Sequence, residues 1–100
     1  MADARVEVKN FSFEPSSITI KMGDTVTWKI TQGNSHDVTR NSDPERFASN
    51  PNLPVGTEFK HTFNTQSDAA GFEYVCTPHA TLGMKGRVIV EPVVRNPNTC

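Results

Sequence analysis

The segment Thr25-Val26-Thr27-Trp28-Lys29-Ile30-Thr31 alternates polar and apolar side chains without a fault. Successive side chains of a strand point to opposite faces, so its three apolar residues share one face and its polar residues share the other. This pattern is typical of a half-buried antiparallel strand. A turn is predicted immediately before it, because Met22-Gly23-Asp24 contains a glycine and an aspartate.

The same period of two continues on both sides of this segment and predicts further short strands. Their alternating residues are Val6 and Val8; Phe11 and Phe13, up to Pro15; Ile18 and Ile20; Phe59, His61 and Phe63; Phe72, Tyr74 and Cys76; Val88 and Val90. Several short strands separated by turn residues predict an all-β fold, a Greek-key β-sandwich or barrel of about seven or eight strands. The only helical structure expected is a short turn at residues 43–47, where Pro44 suits a first helical position.

Length and charge limit the functions that the chain can have. It has 100 residues and a formal net charge of -1. One domain is predicted at residues 1–94, with residues 95–100 a flexible tail. The near-zero charge argues against nucleic-acid binding, and no apolar run approaches the roughly 20 residues that span a bilayer. Residues 41–56 contain three prolines and form a long loop without a predicted role.

The densest group of reactive side chains lies between Cys76 and Met84. A thiol, an imidazole and a thioether occur there with the spacing Cys-x-x-His-x-x-x-x-Met, the imidazole being His79. Because Cys76 shares a strand face with Phe72 and Tyr74, its sulfur is expected to point toward the core. The following loop turns back into a strand and brings the other two groups to the sulfur. Thiolate, imidazole and a weak thioether are the copper ligands of electron-transfer sites.

Such a site needs a second imidazole, and two candidates remain. His36 follows the Trp28 strand, at a strand end that a sandwich can bring to the same pole. His61 alternates with two phenylalanines in mid-strand, which favours a structural histidine with a hydrogen-bonded ring. Each group also has a simpler interpretation. His36 could be an exposed turn residue, Met84 a core filler, and Cys76 a disulfide partner of Cys100.

These motifs resemble those of the cupredoxins, the small blue copper proteins, and the loop spacing is nearest to plastocyanins and pseudoazurins. The resemblance covers nearly the whole chain. It is carried by Phe11-Ser12-Phe13-Glu14-Pro15, Ile18-Thr19-Ile20, Gly23-Asp24-Thr25-Val26-Thr27-Trp28 and Tyr74-x-Cys76-Thr77-Pro78-His79. It implies one type 1 copper ion, with His36, Cys76 and His79 in a trigonal plane and Met84 as a long axial ligand.

The resemblance also draws attention to Asp37. In the family, the N–H of the residue after the first histidine ligand usually donates to the thiolate, whereas Pro78 has no N–H to offer. Family members often carry asparagine at this position. A carboxylate there would favour the more positive, oxidised metal and lower the redox potential, unless the Asp37 side chain faces solvent.

The function implied is transfer of single electrons between transient partners, such as a cytochrome or an oxidoreductase, by a monomer that is not an enzyme. Copper enzymes carry a second, histidine-rich centre, and only His61 is left to build one. Electrons would pass at the edge of His79, inside an apolar patch of Pro78, Ala80, Leu82 and Pro54. The alternatives are a copper carrier, a domain of a larger copper oxidoreductase and an adhesion module without metal.

The expected location is the periplasm or another extracytoplasmic compartment such as the thylakoid lumen. It follows from the chemistry and the family, because the first five residues lack the apolar segment of a secretory signal. The chain is therefore interpreted as a mature form that carries an added Met1, in preference to a cytoplasmic protein.

Overall fold

Nine strands and one 3-10 helix make up the computed structural model, which describes residues 3–33, 36–42 and 45–92. The strands are β1 (Asp3–Lys9), β2 (Ser12–Glu14), β3 (Ser17–Lys21), β4 (Thr25–Ile30), β5 (Thr39–Arg40), β6 (Phe47–Ala48), β7 (Glu58–Thr62), β8 (Phe72–Val75) and β9 (Lys85–Glu91). The 3-10 helix spans Thr77–Leu82. The all-β prediction is confirmed: seven strands have three or more residues, and β5 and β6 add two very short ones.

The strands form two mixed sheets. One has the order β2-β1-β4-β7 and the other β3-β9-β8-β5-β6. The pairs β1/β4 and β3/β9 are parallel, and the remaining pairs are antiparallel. The prediction of a purely antiparallel β4 is therefore wrong on one edge. The chain leaves the first sheet after β2, runs through the second as β3 and returns as β4 in the direction of β1, a crossover that side-chain alternation cannot reveal.

Trp28 lies at the centre of the core between the two sheets. It is fully buried, and its ring packs against those of Phe47, Phe59 and Tyr74 at centroid distances of 5.5, 5.7 and 5.2 Å. Aromatic pairs of this kind add about 1 kcal/mol each beyond the area they bury. Tyr74 fits only because residue 86 is a glycine, since a Cβ there would collide with the phenol ring. Trp28 and Tyr74 thus fix the spacing of the sheets beneath the end of β8.

Two local predictions differ from the structure. Phe13 is buried as expected, but Phe11 lies in the turn between β1 and β2 with 54% of its surface exposed. The helical turn expected at residues 43–47 does not form in its described part. Glu45 has a φ of 64° and Phe47 belongs to β6, while Asp43 and Pro44 lie outside the described residues. Helical hydrogen bonding occurs instead after Cys76.

The second half of the long loop lies against the segment that contains His36. The Ser49 N–H donates to the Val38 carbonyl at 2.9 Å, and the Leu53 N–H donates to the His36 carbonyl at 2.9 Å. Leu53 is buried in the core. The predicted tail, residues 95–100, falls outside the described residues. Within them, no helix is long and apolar enough to cross a membrane.

Candidate metal centre

Cys76 follows the last residue of β8, a strand held between β5 and β9. Its side chain is fully buried and its thiol is free. Two neighbouring strands therefore fix the position from which the sulfur points inward, as the alternation of Phe72, Tyr74 and Cys76 predicts. This makes the cysteine the rigid member of the group.

The 3-10 helix presents His79 and then returns the chain to the sulfur. Pro78 occupies its first turn, and Gly83 ends it in the left-handed conformation with a φ of 82°. The His79 N–H donates to the Cys76 carbonyl at 3.0 Å, and the Cys76 N–H donates to the Met84 carbonyl at 3.1 Å. The Met84 side chain is fully buried. The loop is closed on itself by its own backbone, with Met84 beside Cys76.

His36 reaches the same place from the opposite side. It is fully buried and forms a β-bridge with Leu53 of the long loop. Gly33 lies against the back of its ring: a Cβ at residue 33 would stand 2.8 Å from Nε2 of His36. The backbone of two segments therefore confines this imidazole, and its Nδ1 faces the cysteine.

The three side chains converge. The Sγ atom of Cys76 lies 3.5 Å from Nδ1 of His36 and 3.3 Å from Nδ1 of His79. One ligand atom from each residue lies within 4.8 Å of the other two. The imidazole rings are 5.1 Å apart at their centroids, inclined by 60°. Two nitrogens and one sulfur thus surround a single point, as expected for a metal-binding group.

Burial shifts the pKa of two members of this group, His36 and Cys76. Burial, followed by the proximity of His79, lowers the pKa of His36, which keeps the ring in the neutral form that binds metals. Burial also raises the pKa of the Cys76 thiol, an effect that the N–H groups of Asp37 and His79 partly offset by donating to the sulfur. A metal ion that binds here must therefore displace the thiol proton.

Asp37 joins the two ligand-bearing segments. Its side chain is buried, and its Oδ1 accepts a hydrogen bond from the Thr77 N–H at 2.7 Å. The alternative interpretation, that the Asp37 side chain faces solvent, is therefore wrong. The carboxylate adds to the factors that raise the thiol pKa of Cys76, so its negative charge acts on the sulfur.

His61 lies outside this group, as its place in mid-strand predicts. Its Nε2 is 2.8 Å from Oε2 of Glu45, and its ring stacks on Phe47 at 4.7 Å. Burial alone would raise the pKa of Glu45, but hydrogen bonds from His61, the Asn64 N–H and Thr65 hold it below its usual value. The hydrogen bond between His61 and Glu45 links β7 to the start of the long loop, so His61 has a structural role.

Comparison with known proteins agrees with this geometry. Residues 2–91 match the family described as copper binding proteins of the plastocyanin/azurin type. The chain belongs to the plastocyanin/azurin family of copper-binding proteins. This cupredoxin is 42% identical to a halocyanin from Natronomonas pharaonis over 85 residues, which cover 81% of this chain and 49% of that protein. It therefore spans about half the length of that relative.

Two further similarities place the chain within the family. A plastocyanin from Scenedesmus fuscus is 34% identical over 84 residues, which cover 79% of this chain and 86% of that protein. The solved structure of a reduced amicyanin variant superimposes with a TM-score of 0.74 at 27% identity, covering 88% of this chain and 81% of that one. The cupredoxin resemblance and the sandwich fold are both confirmed.

Copper is the cofactor of this family, and the donor set of this chain fits it. One buried thiol and two imidazole nitrogens are soft and intermediate ligands, the combination typical of copper electron-transfer sites. Three residues beside this group were not predicted from the sequence. Gly33 and Leu53 lie against His36, and the ring of Phe11 contacts that of His79 at 5.0 Å. Leu53 and Phe11 are distant in sequence from the ligands they touch, so no local spacing signals them. Gly33 precedes His36 by only three residues, but a single glycine in a turn does not show which side chain it lies against.

Proposed function

We propose that this chain is a type 1 copper protein that carries single electrons between redox partners. Copper is held by Nδ1 of His36, Sγ of Cys76 and Nδ1 of His79, and more weakly by the thioether of Met84. The convergence of the first three atoms within 4.8 Å carries the proposal. Met84 joins them because it is fully buried and its carbonyl is bonded to the Cys76 N–H. The metal supplies one-electron chemistry by alternating between Cu(I) and Cu(II).

The residues of the chain keep the ligands in place. The β8 strand holds the sulfur, the bridge to Leu53 holds His36, and the 3-10 helix holds His79. Asp37 links two of these segments through the Thr77 N–H. A ligand set fixed before the metal arrives changes little when the charge of the metal changes, and little rearrangement means fast electron transfer.

Partners approach over His79, the less buried of the two imidazoles. Pro78, Ala80 and Leu82 occupy exposed positions on the same 3-10 helix, and Pro54 is exposed next to the bridge between Leu53 and His36. Leu82 has 63% of its surface exposed. A small apolar patch suits brief redox encounters, which bury little surface. The partner is a cytochrome or an oxidoreductase, and the chain itself acts as a monomer without an enzymatic centre of its own.

Leu82→Lys tests this docking patch. A charge on the patch slows electron transfer with a cytochrome, while the visible spectrum of the copper protein stays unchanged because Leu82 is not a ligand. Ala69→Lys, an exposed position in the turn before β8, is the matched control and leaves the rate unchanged. Loss of colour in Leu82→Lys would instead assign the residue to support of the site.

Addition of Cu(II) to the purified protein tests the proposal itself. Intense blue or green absorption at one copper per chain supports the thiolate site. Stoichiometric binding of Cu(I) without a stable coloured Cu(II) form supports a copper carrier, and no uptake of metal supports an adhesion module.

A second candidate is an electron-transfer domain of a longer protein. It is favoured by one observation: the match to the halocyanin covers only 49% of that protein. Immunoblotting of the native protein from its source distinguishes a free chain of about 11 kDa from a longer one.

The proposed location is outside the cytoplasm, in the periplasm or a comparable compartment. The proposal is supported by the family to which the chain belongs and by the buried copper thiolate chemistry, which the thiol pool of a reducing cytoplasm would compete with. Fractionation of cells that make the native protein tests it, and recovery with cytoplasmic markers would contradict it.

A further inference from the structure

His79 is held less firmly than the other members of the metal-binding group. It lies on a 3-10 helix that has no buried residues, and its own side chain is only half-buried. His36, by contrast, is enclosed by the backbone of residue 33 and by the bridge to Leu53. The imidazole ring of His79 contacts the ring of His36 and the ring of Phe11.

Phe11 reaches His79 from a different sheet. Its turn connects β1 and β2, whereas the helix of His79 connects β8 and β9. The turn is tied to the segment before His36: the Thr31 N–H donates to the Val8 carbonyl at 2.9 Å, and the Asn10 N–H donates to Oε1 of Gln32 at 3.2 Å. The phenyl ring therefore stands on a fixed support, with its plane at 81° to the imidazole.

The placement of Phe11 costs free energy in two ways. Its φ of 67° is in the left-handed region, where the Cβ of a bulky residue is strained. Its apolar ring also leaves 54% of the residue surface in water. Strained residues persist where the surrounding structure holds them, and they cluster at functional sites. The strained backbone of Phe11 places its ring on the surface, where the ring makes the edge-to-face contact with His79.

We propose that Phe11 is a positioning residue for His79: its ring limits the rotation of the half-buried imidazole, so that Nδ1 keeps its direction toward Cys76 in both oxidation states. This inference rests on the proposed function, because it explains how the less buried ligand keeps the orientation that metal binding requires. The side chain of Phe11 restricts the His79 ring, just as the backbone at Gly33 and Leu53 restricts the His36 ring.

Relaxation measurements on the histidine rings test the inference directly. The protein is labelled with 13C-histidine, and microsecond-to-millisecond exchange at the rings of His79 and His36 is compared in the copper-free and Cu(I) forms. Phe11→Leu keeps an apolar residue but removes the aromatic contact. It is expected to increase exchange several-fold at His79 while His36 stays unchanged. Phe11→Tyr keeps the ring and restores the wild-type values.

Two further variants separate positioning from folding. Phe11→Asn relieves the backbone strain, because asparagine tolerates the left-handed region. It is expected to unfold at equal or higher denaturant concentration and yet show the increased exchange at His79. Val55→Asn changes another exposed apolar residue, 58% accessible in the turn before β7, and leaves His79 unchanged.

The inference is overturned if Phe11→Leu leaves exchange at His79 unchanged, or if both histidines broaden together. In the copper-loaded protein, electron exchange between Cu(I) and Cu(II) molecules should fall several-fold in Phe11→Leu and recover in Phe11→Tyr. If the wild-type protein forms no coloured copper site, the proposed function fails, while the copper-free measurement still decides the role of Phe11.

Discussion

The two imidazoles of the metal centre are positioned by opposite means. His36 is fully buried, and backbone groups from two segments, the residue 33 turn and the Leu53 bridge, enclose it. His79 lies on one short helix near the surface, with Phe11 as its neighbour from the other sheet. The buried side supplies rigidity, and the less buried side is where we propose that electrons enter and leave. One site therefore combines a fixed geometry with a surface at which partners can meet it.

Removing each imidazole in turn produces the largest contrast. In His79→Gly the gap opens toward solvent, so added imidazole is expected to enter and restore the colour of the Cu(II) protein. In His36→Gly the gap is closed by Leu53, and imidazole restores little or none. Titration of both variants with imidazole, followed by visible absorption, measures the difference. Equal recovery of colour in His79→Gly and His36→Gly would show that the two histidine positions are equally accessible to solvent, which would contradict the account.

Gly33→Ala tests the backbone support of His36. A Cβ at this position meets Nε2 of His36 and the Asn10 side chain, and the φ of 79° adds a cost of about 1 kcal/mol for any residue with a Cβ. Lower stability together with a changed Cu(II) EPR spectrum is expected.

Gly56→Ala is the matched control for Gly33→Ala. Its φ is 95°, but a Cβ there meets nothing within 4 Å. The loss of about 1 kcal/mol in unfolding free energy should therefore appear without any spectral change. Identical EPR spectra for both variants would show that contact with His36 is unimportant.

Asp37→Asn changes the charge beside the sulfur with little change in shape, since the amide oxygen can still accept the Thr77 N–H. Removing a buried negative charge disfavours the more positive Cu(II) state, so the midpoint potential is expected to rise, on the order of tens of millivolts. Voltammetry measures it, with the visible spectrum as a check that the site is intact. An unchanged or lower potential would refute the electrostatic role of Asp37.

Glu45→Gln acts at the start of the long loop, away from the metal ligands, and should have the smallest effect on the metal. Because the pKa of Glu45 in the folded protein lies below its ordinary value of 4.5, its contribution to stability is present above that pH and is lost as the pH falls through the lower, folded value. The variant should lose about 1 kcal/mol at neutral pH, and the difference should narrow in acid.

Urea unfolding of wild type and Glu45→Gln at a series of pH values measures this difference, with visible absorption recorded in parallel. An unchanged spectrum is expected, since Glu45 contacts His61 and not the metal ligands. A difference that widens in acid would reverse the assigned direction of the pKa shift.

The sequence predicts one side of this comparison better than the other. Cys76, His79 and Met84 lie within nine residues, so their spacing is a local signal, and the period of two locates the strands that support them. The environment of His36 depends on Leu53, which lies 17 residues later in the chain. No sequence motif predicts that these two residues are in contact. Phe11 follows the apolar alternation and was expected to face the core, but its left-handed backbone turns it outward.

The parallel pairing of β4 with β1 is a second feature that could not be predicted from local sequence patterns. Alternation reports which faces of a strand are buried, and it carries no information on the direction of its neighbours. The sequence predicts a helical turn at Pro44, whereas the structure has one at Pro78. Proline suits a first helical position in both places, so the residue type alone does not distinguish them. The structure differs at the first place because Phe47 belongs to a strand.

Replacement of the cysteine sulfur by oxygen is the most direct test of the whole account. Wild type and Cys76→Ser are each loaded with copper, checked for the same β-rich circular dichroism, and compared by visible absorption and cyclic voltammetry. We predict intense colour and a reversible one-electron wave for wild type, and the loss of both in Cys76→Ser. Colour and voltammetry that survive the substitution would show that copper, if bound, is held elsewhere.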